Sequence, residues 1–195
     1  MFAYCNNCPI NLSDSSGNRP VSELEKYGGV SLNVPARAKV KYDVPLYDQG
    51  DYKLCWAFCM LMIESFKAGI EYSKDEATDQ AITLAKSVNG ECWDRANNPP
   101  NAGEGMRLSS IEHLYKLLRS EGPVYAKYSR KDENGGKAYH LVVVTGVDLE
   151  NNTVYINNPW NYSGCQQFEI FMKDLAWKNK TTYDYDLYQI YPANN

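Results

Sequence analysis

Hydrophobic residues occupy every position from 54 to 63, the longest apolar run in the chain. A helix whose early turns are apolar on all sides has no face for water and lies inside a protein. A mostly polar stretch at 48–53 precedes the run. We therefore predict a buried helix over residues 55–68, in the middle of the fold.

Two further segments have the pattern of helices with one apolar face. Ser73, followed three residues later by Glu76, is typical of a helix start, and we predict a helix from there to residue 88. A second helix is predicted over residues 108–119, since apolar side chains recur at helical spacing. These apolar positions are Leu108, Ile111, Leu114, Tyr115 and Leu118.

The second half of the chain is typical of strands separated by turn residues. Strands are predicted over residues 124–128, 140–147, 153–157, 166–170 and 186–191, with one short helix over residues 172–177. Helices followed by antiparallel strands predict an α+β fold. We expect an N-terminal helical lobe, containing the buried helix, packed on a C-terminal antiparallel β-sheet lobe with a cleft between them.

Asn, Ser, Gly and Pro are frequent in the first 40 residues, which is typical of loop or extended chain. The length of 195 residues suits one compact domain. We therefore predict an N-terminal arm over residues 1–40 and a single domain over residues 41–195.

Charge and composition exclude several classes of function. The formal net charge is -4 and no block of basic residues occurs, so nucleic acid and anionic membranes are not expected partners. No apolar run is long enough to span a bilayer. Cys5 and Cys8 form a Cys-x-x-Cys pair, but no second pair follows at zinc-ligand spacing. Whether these two cysteines are free, disulfide-bonded or metal-bound stays open, and no metal or cofactor is expected in the site itself.

The candidate chemistry begins at Cys55, the first residue of the predicted buried helix. A helix N-terminus favours an anion, so a thiol there ionises at a lower pH than usual. The Cys55 N–H can also donate to a developing oxyanion. Gln49, six residues earlier, can supply a second donor from its side-chain amide.

The sequence holds two histidines, His113 and His140. His113 lies within a predicted helix, where a surface role is expected. His140 directly precedes four apolar residues at 141–144. On this pattern alone a structural role explains His140 as well as a catalytic role does. Asn158 directly follows the next predicted strand, where its amide can orient the His140 ring. Trp160 can shield that contact from water.

These residues resemble those of the papain superfamily of cysteine proteases. The Gln at 49, the six-residue gap and the Cys-Trp-Ala-Phe sequence at 55–58 match its nucleophile segment, and the Asn-Pro-Trp sequence at 158–160 stands for its Asn-x-Trp. Two differences set the chain apart from papain itself. Residues 52–54 are Tyr-Lys-Leu, so the neighbouring disulfide of the family is absent, and the chain is short. Compact bacterial peptidases, of the effector and double-glycine types, are the nearest resemblance.

The resemblance implies a cysteine endopeptidase that cleaves a protein through a Cys55–His140–Asn158 triad and a thioester, with Gln49 in the oxyanion hole. The double-glycine peptidases usually have Asp-Cys-Gly at the nucleophile, whereas residues 54–56 are Leu-Cys-Trp, which favours a secreted bacterial effector or toxin. Such an enzyme is expected to have an inhibitor or immunity protein as partner. The first five residues do not resemble a secretory signal, so we expect synthesis in the cytoplasm and delivery by a specialised secretion system.

Two alternatives stay open at this point. Related folds include amidases that act on cell-wall peptides. The chain could also be an inactive binding module that holds a partner through tyrosines near its C-terminal end. These are Tyr183, Tyr185, Tyr188 and Tyr191.

Overall fold

A computed structural model describes residues 37–88, 102–131, 137–175, 177–178, 183–184 and 190–193. Its helices are α1 (Cys55–Ala68), α2 (Lys74–Ser87), α3 (Ile111–Glu121) and α4 (Phe168–Leu175). Its strands are β1 (Lys39–Lys41), β2 (Val124–Lys131), β3 (Lys137–Asp148), β4 (Thr153–Asn158), β5 (Tyr162–Gln167), β6 (Trp177–Lys178), β7 (Tyr183–Asp184) and β8 (Ile190–Pro192). Most of the predicted arm, with Cys5 and Cys8, lies outside these residues, as does most of the predicted strand 186–191.

Six of the strands form one antiparallel sheet, in the order β5-β4-β3-β2-β8 with β1 also paired to β3. β4 pairs with β3 from Val143 to Asp148, so β2 and β1 share the opposite edge of β3. The close approach of β1 requires Gly146, because a Cβ there would lie 2.7 Å from Lys41 Cα. β3 is thus the central strand of the fold.

Within the described residues the core consists of two hydrophobic clusters, and alternate residues of β3 belong to different clusters. Leu141 and Val143 pack with α1 and α2, while Val142 and Val144 pack with α3 and α4. Neighbouring residues of a strand point to opposite faces of a sheet, so helices cover both faces. The α+β class and the papain-like arrangement are confirmed, with α1 and α2 forming the helical layer on one face.

The two helices predicted first are confirmed. In α1 every residue from 55 to 63 is buried. The capping box of α2 is formed as predicted, since the Ser73 hydroxyl accepts from the Glu76 N–H while Glu76 accepts from the Ser73 N–H. Gly69 ends α1 in the left-handed region at φ 66°, where glycine has no Cβ penalty.

The predicted starts of one helix and one strand were wrong. Helix α3 begins at Ile111 rather than at residue 108, because the Ser110 hydroxyl caps it by accepting from the His113 N–H at 3.1 Å. β3 begins at Lys137, so His140 is the fourth residue of the strand and not its first. The pairing with β4 starts only at Val143, which leaves His140 beside the turn that follows β4.

The segment predicted as a strand over residues 166–170 is also different. The strand is β5, which ends at Gln167, and helix α4 follows at once. Its apolar residues are spaced by three and four, which is a helical period. They are Phe168, Phe171, Met172 and Leu175. The short helix predicted over residues 172–177 therefore lies several residues too late.

Candidate active site

Cys55 is the first residue of α1 and is 4% exposed. Its N-cap, Leu54, makes no side-chain cap, and no acidic residue stands in the first turn. Neither the N-cap nor the first turn supplies a side chain that compensates the positive end of the helix dipole, so this end of the helix favours an anion.

Cys59, one turn further along α1, has a different environment. It is fully buried, and its thiol donates a hydrogen bond to the Leu141 carbonyl at 3.2 Å. Burial raises the pKa of the Cys59 thiol well above its ordinary value. This contact fixes α1 against β3 at the residue that follows His140. Cys55 and Leu141 belong to the same core cluster.

His140 is held by contacts on its edge and on its face. Its Nε2 lies 2.9 Å from Asn158 Oδ1, and its ring stacks on Trp160 with 3.8 Å between centroids and 14° between planes. The backbone N–H of Trp160 also donates to Asn158 Oδ1, at 3.0 Å. Since this oxygen faces an N–H donor, it can only accept, so His140 Nε2 carries the hydrogen in their contact. The lone pair of the neutral ring is then on Nδ1.

A three-residue turn between β4 and β5 creates this geometry. Asn158 pairs with Tyr162 across the turn, and Asn161 adopts the left-handed region at φ 56°, which Asn tolerates better than most residues. The Asn158 side chain accepts from the N–H two residues ahead, as Asx turns do. Trp160 remains 46% exposed, so it covers the His140 ring from the solvent side.

Gln49 is connected to the same turn. Its backbone N–H donates to the Pro159 carbonyl at 2.7 Å. Its side chain is 6% exposed, and Nε2 donates to the Tyr52 carbonyl at 2.7 Å. A primary amide has two hydrogens on nitrogen, so one remains for another acceptor. Among the described residues, Gln49 Oε1 has no hydrogen-bond partner.

The sequence profile of the Peptidase_C39 like family matches residues 41–185. The chain belongs to this family. The protein is therefore a cysteine protease. A search of curated proteins finds no match.

The peptidase brings most of its predicted site residues together. His140, Asn158 and Trp160 are in direct contact, and Gln49 joins them through Pro159. Cys55 lies one turn before Cys59 on α1, and the Cys59 thiol contacts Leu141, the residue that follows His140 in β3. Their catalytic roles remain predictions.

Other predicted residues lie elsewhere in the peptidase. His113 is the third residue of α3 and its Nδ1 lies 3.0 Å from Ser109 Oγ, as expected for a surface role on a helix. Leu108, which was predicted to begin this helix, lies before its first residue and is buried.

Sequence reasoning missed Asn157 and Ser163. Asn157 is 3% exposed, and its Oδ1 accepts from the Ser163 hydroxyl at 2.7 Å. The signal in the sequence is the pair of adjacent asparagines, Asn157 and Asn158, at the end of a predicted strand, and only Asn158 was assigned a role. Within the described ranges no group of three His, Cys, Asp or Glu residues could hold a metal ion. No helix in those ranges is long and apolar enough to cross a membrane.

Proposed function

We propose that the peptidase is an endopeptidase that cleaves protein substrates with Cys55 as nucleophile, His140 as acid and base, Asn158 as orienting residue and Gln49 in the oxyanion hole. The observation that carries the proposal is the His140–Asn158 contact of 2.9 Å, on a turn bonded to the Gln49 backbone. Acyl transfer needs a base held in one tautomer, here His140, and an amide donor for the oxyanion close to it, here Gln49.

The reaction begins with transfer of the Cys55 proton to His140 Nδ1. The thiolate forms a bond to the peptide carbonyl carbon, and the carbonyl π electrons move to oxygen. The second Nε2 hydrogen of Gln49 and the Cys55 N–H donate to that oxyanion. When the C–N bond breaks, His140 gives its Nδ1 proton to the leaving amine and a thioester remains.

Water then completes the cycle. His140 Nδ1 accepts a proton from water as the oxygen attacks the thioester carbon. The C–S bond then breaks to release the carboxylic acid, and the Cys55 thiolate takes back the proton from His140 Nδ1. Asn158 accepts from His140 Nε2 throughout, which stabilises the imidazolium and holds the ring in place. Trp160, stacked on the ring, keeps water from competing for this hydrogen bond.

The pair of Gln49 and Asn158 favours peptide bonds of proteins over cell-wall amides as the substrate. The test is release of fluorescent fragments from fluorescein-labelled casein, compared with cleavage of isolated cell-wall stem peptides. Casein cleavage lost in Cys55→Ala and kept in Cys59→Ser, which retains a donor for Leu141, is the expected result. Cleavage of the stem peptides alone would establish an amidase instead.

The binding-module alternative is separated by covalent chemistry. An inactive module would not react with a peptide-based thiol reagent at Cys55, whereas a protease would. The tyrosine surface suggested for such a module loses one member, because Tyr191 is 5% exposed and packs in the core with α1.

We propose a secreted bacterial effector or toxin, controlled by an inhibitor protein, as the biological setting. The Leu-Cys-Trp sequence at 54–56 supports it, as does the disulfide of Cys165, since disulfides persist in oxidising compartments. Expression of the wild type in a bacterial periplasm should arrest growth, while Cys55→Ala should not. Equal growth with both would contradict this setting without affecting the proposed chemistry.

A further inference from the structure

Asn157, which directly precedes Asn158, makes three hydrogen bonds from a buried position. Its Nδ2 donates to the Val44 carbonyl at 2.8 Å and to the Pro45 carbonyl at 3.4 Å. Its Oδ1 accepts from the Ser163 hydroxyl at 2.7 Å. The side chain is thus satisfied on both ends and is fixed between β5 and the segment that leads to Gln49.

Residues 44–49, which we name the oxyanion segment, are bonded to the end of β4 at one end and to the β4–β5 turn at the other. Asn157 binds its first two carbonyls, and the Pro159 carbonyl accepts from the Gln49 N–H at 2.7 Å. Between these points Tyr47 is buried and donates to Ser65 on α1 at 3.1 Å. The segment therefore has little freedom to shift relative to the turn.

Neighbouring residues of a strand point to opposite faces, so Asn157 and Asn158 act in different directions from one piece of backbone. Asn158 contacts His140, and Asn157 contacts the oxyanion segment. We propose that Asn157 is a positioning residue that couples the place of Gln49 to that of the His140–Asn158 pair. This inference rests on the proposed function, since it assigns Asn157 a role at the same site.

The coupling can be measured without any substrate. Amide hydrogen exchange at Gln49 reports the bond from its N–H to Pro159. In Asn157→Ala this exchange should be about tenfold faster, as expected when one hydrogen bond of ordinary strength no longer holds the segment. Gln167→Ala is the matched control, because it changes the other end of the same β4–β5 pair, where Gln167 contacts Thr153.

Kinetics on fluorescein-labelled casein test the consequence for catalysis. Asn157→Ala should lower the apparent kcat by about 10- to 100-fold with little change in KM, because a misplaced donor affects mainly the transition state. Gln49→Ala should lower it by about 100-fold or more. The double variant should be no slower than Gln49→Ala, since Asn157 acts through Gln49. Additive losses would mean a merely structural role.

Ser163→Ala serves where Asn157→Ala does not fold. Ser163 is exposed, so the change is mild, but it removes the hydroxyl that holds Asn157 Oδ1. Gln49 exchange should then be about threefold faster, a fraction of the full loss. Exchange at the wild-type rate in both variants, or in Ser163→Ala alone if the other is unfolded, overturns the coupling. A wild type that leaves casein intact overturns the proposed function, while the exchange result still decides the coupling.

Discussion

Single side chains decide the chemistry of this site, and the two cysteines of α1 illustrate it. Cys59 is buried, its thiol donates a hydrogen bond to the Leu141 carbonyl, and burial raises its pKa, so it has a structural role. Cys55 lies at an uncapped helix end. The difference follows from position along one helix, because only its first turn presents N–H groups that lack helical partners.

Asn158→Ala should lower kcat on casein by about 10- to 100-fold, because His140 loses the acceptor that orients it and stabilises its charged form. The matched control is Asn151→Ala, which removes an asparagine from the turn at the other end of β4 and should leave kcat within about twofold. Steady-state kinetics of both variants measure this. Equal losses in the two would show that Asn158 serves only the stability of its turn.

Trp160→Ala should also slow the reaction, by about tenfold, since water can then compete for the hydrogen bond between His140 and Asn158. Trp160→Phe, which keeps an aromatic face over the ring, should restore most of the rate. Steady-state measurement of kcat for the two variants shows whether an aromatic face over His140 is what maintains the rate. A phenylalanine variant as slow as the alanine one would exclude shielding by stacking.

Among the helices and strands, the features that depend on a few neighbouring residues could be predicted from the sequence. The bounds of α1 and the capping box at Ser73 follow from burial and capping rules that act within a few residues. The end of β5 was misplaced because Gln166 and Gln167 precede apolar residues that fit either period over a short window. The helix period becomes clear only when residues 168–175 are taken together.

The β1 strand is held by a charged contact whose strength depends on pH. Lys39 Nζ lies 3.3 Å from Asp148, which also accepts from the backbone and side-chain N–H groups of Asn151, both at 3.1 Å. Burial acts to raise the pKa of Asp148, but these hydrogen bonds and the Lys39 charge outweigh it and lower that pKa below 3.8. Because the pKa of Asp148 is lower in the folded state, the charged carboxylate stabilises the fold at every pH above its ordinary pKa. This contribution is lost as the pH falls through the lowered pKa of the folded state.

Asp148→Asn should therefore reduce the free energy of unfolding at pH 7 by about 1 kcal/mol and make stability less sensitive to pH below about 4. Urea unfolding between pH 2 and 7 measures both effects. Glu150→Gln is the control, because its contact with Arg37 is largely exposed and contributes little. A variant at Asp148 with the acid sensitivity of the wild type would contradict the assignment.

At the scale of the whole molecule, the site is assembled from segments far apart in sequence. The order of Gln49, Cys55, His140 and Asn158 could be predicted, because each has a local signal. The contacts of Asn157 with Val44 and Pro45 could not, since they join residues more than 110 positions apart and leave no trace in local spacing. The central place of β3, which pairs with three strands, is likewise set by tertiary packing.

The proposed chemistry requires Cys55 and His140 to form a reactive pair, and the rate of Cys55 alkylation by iodoacetamide, measured as a function of pH, detects such a pair. Peptide mass identifies the modified residue, and buried Cys59 serves as the internal control. We predict reaction at Cys55 that persists well below pH 7 in the wild type and shifts to higher pH in His140→Ala, but not in His113→Ala. A Cys55 that reacts only near the ordinary thiol pKa of about 8.5, equally in all three proteins, would show that Cys55 and His140 do not form a reactive pair.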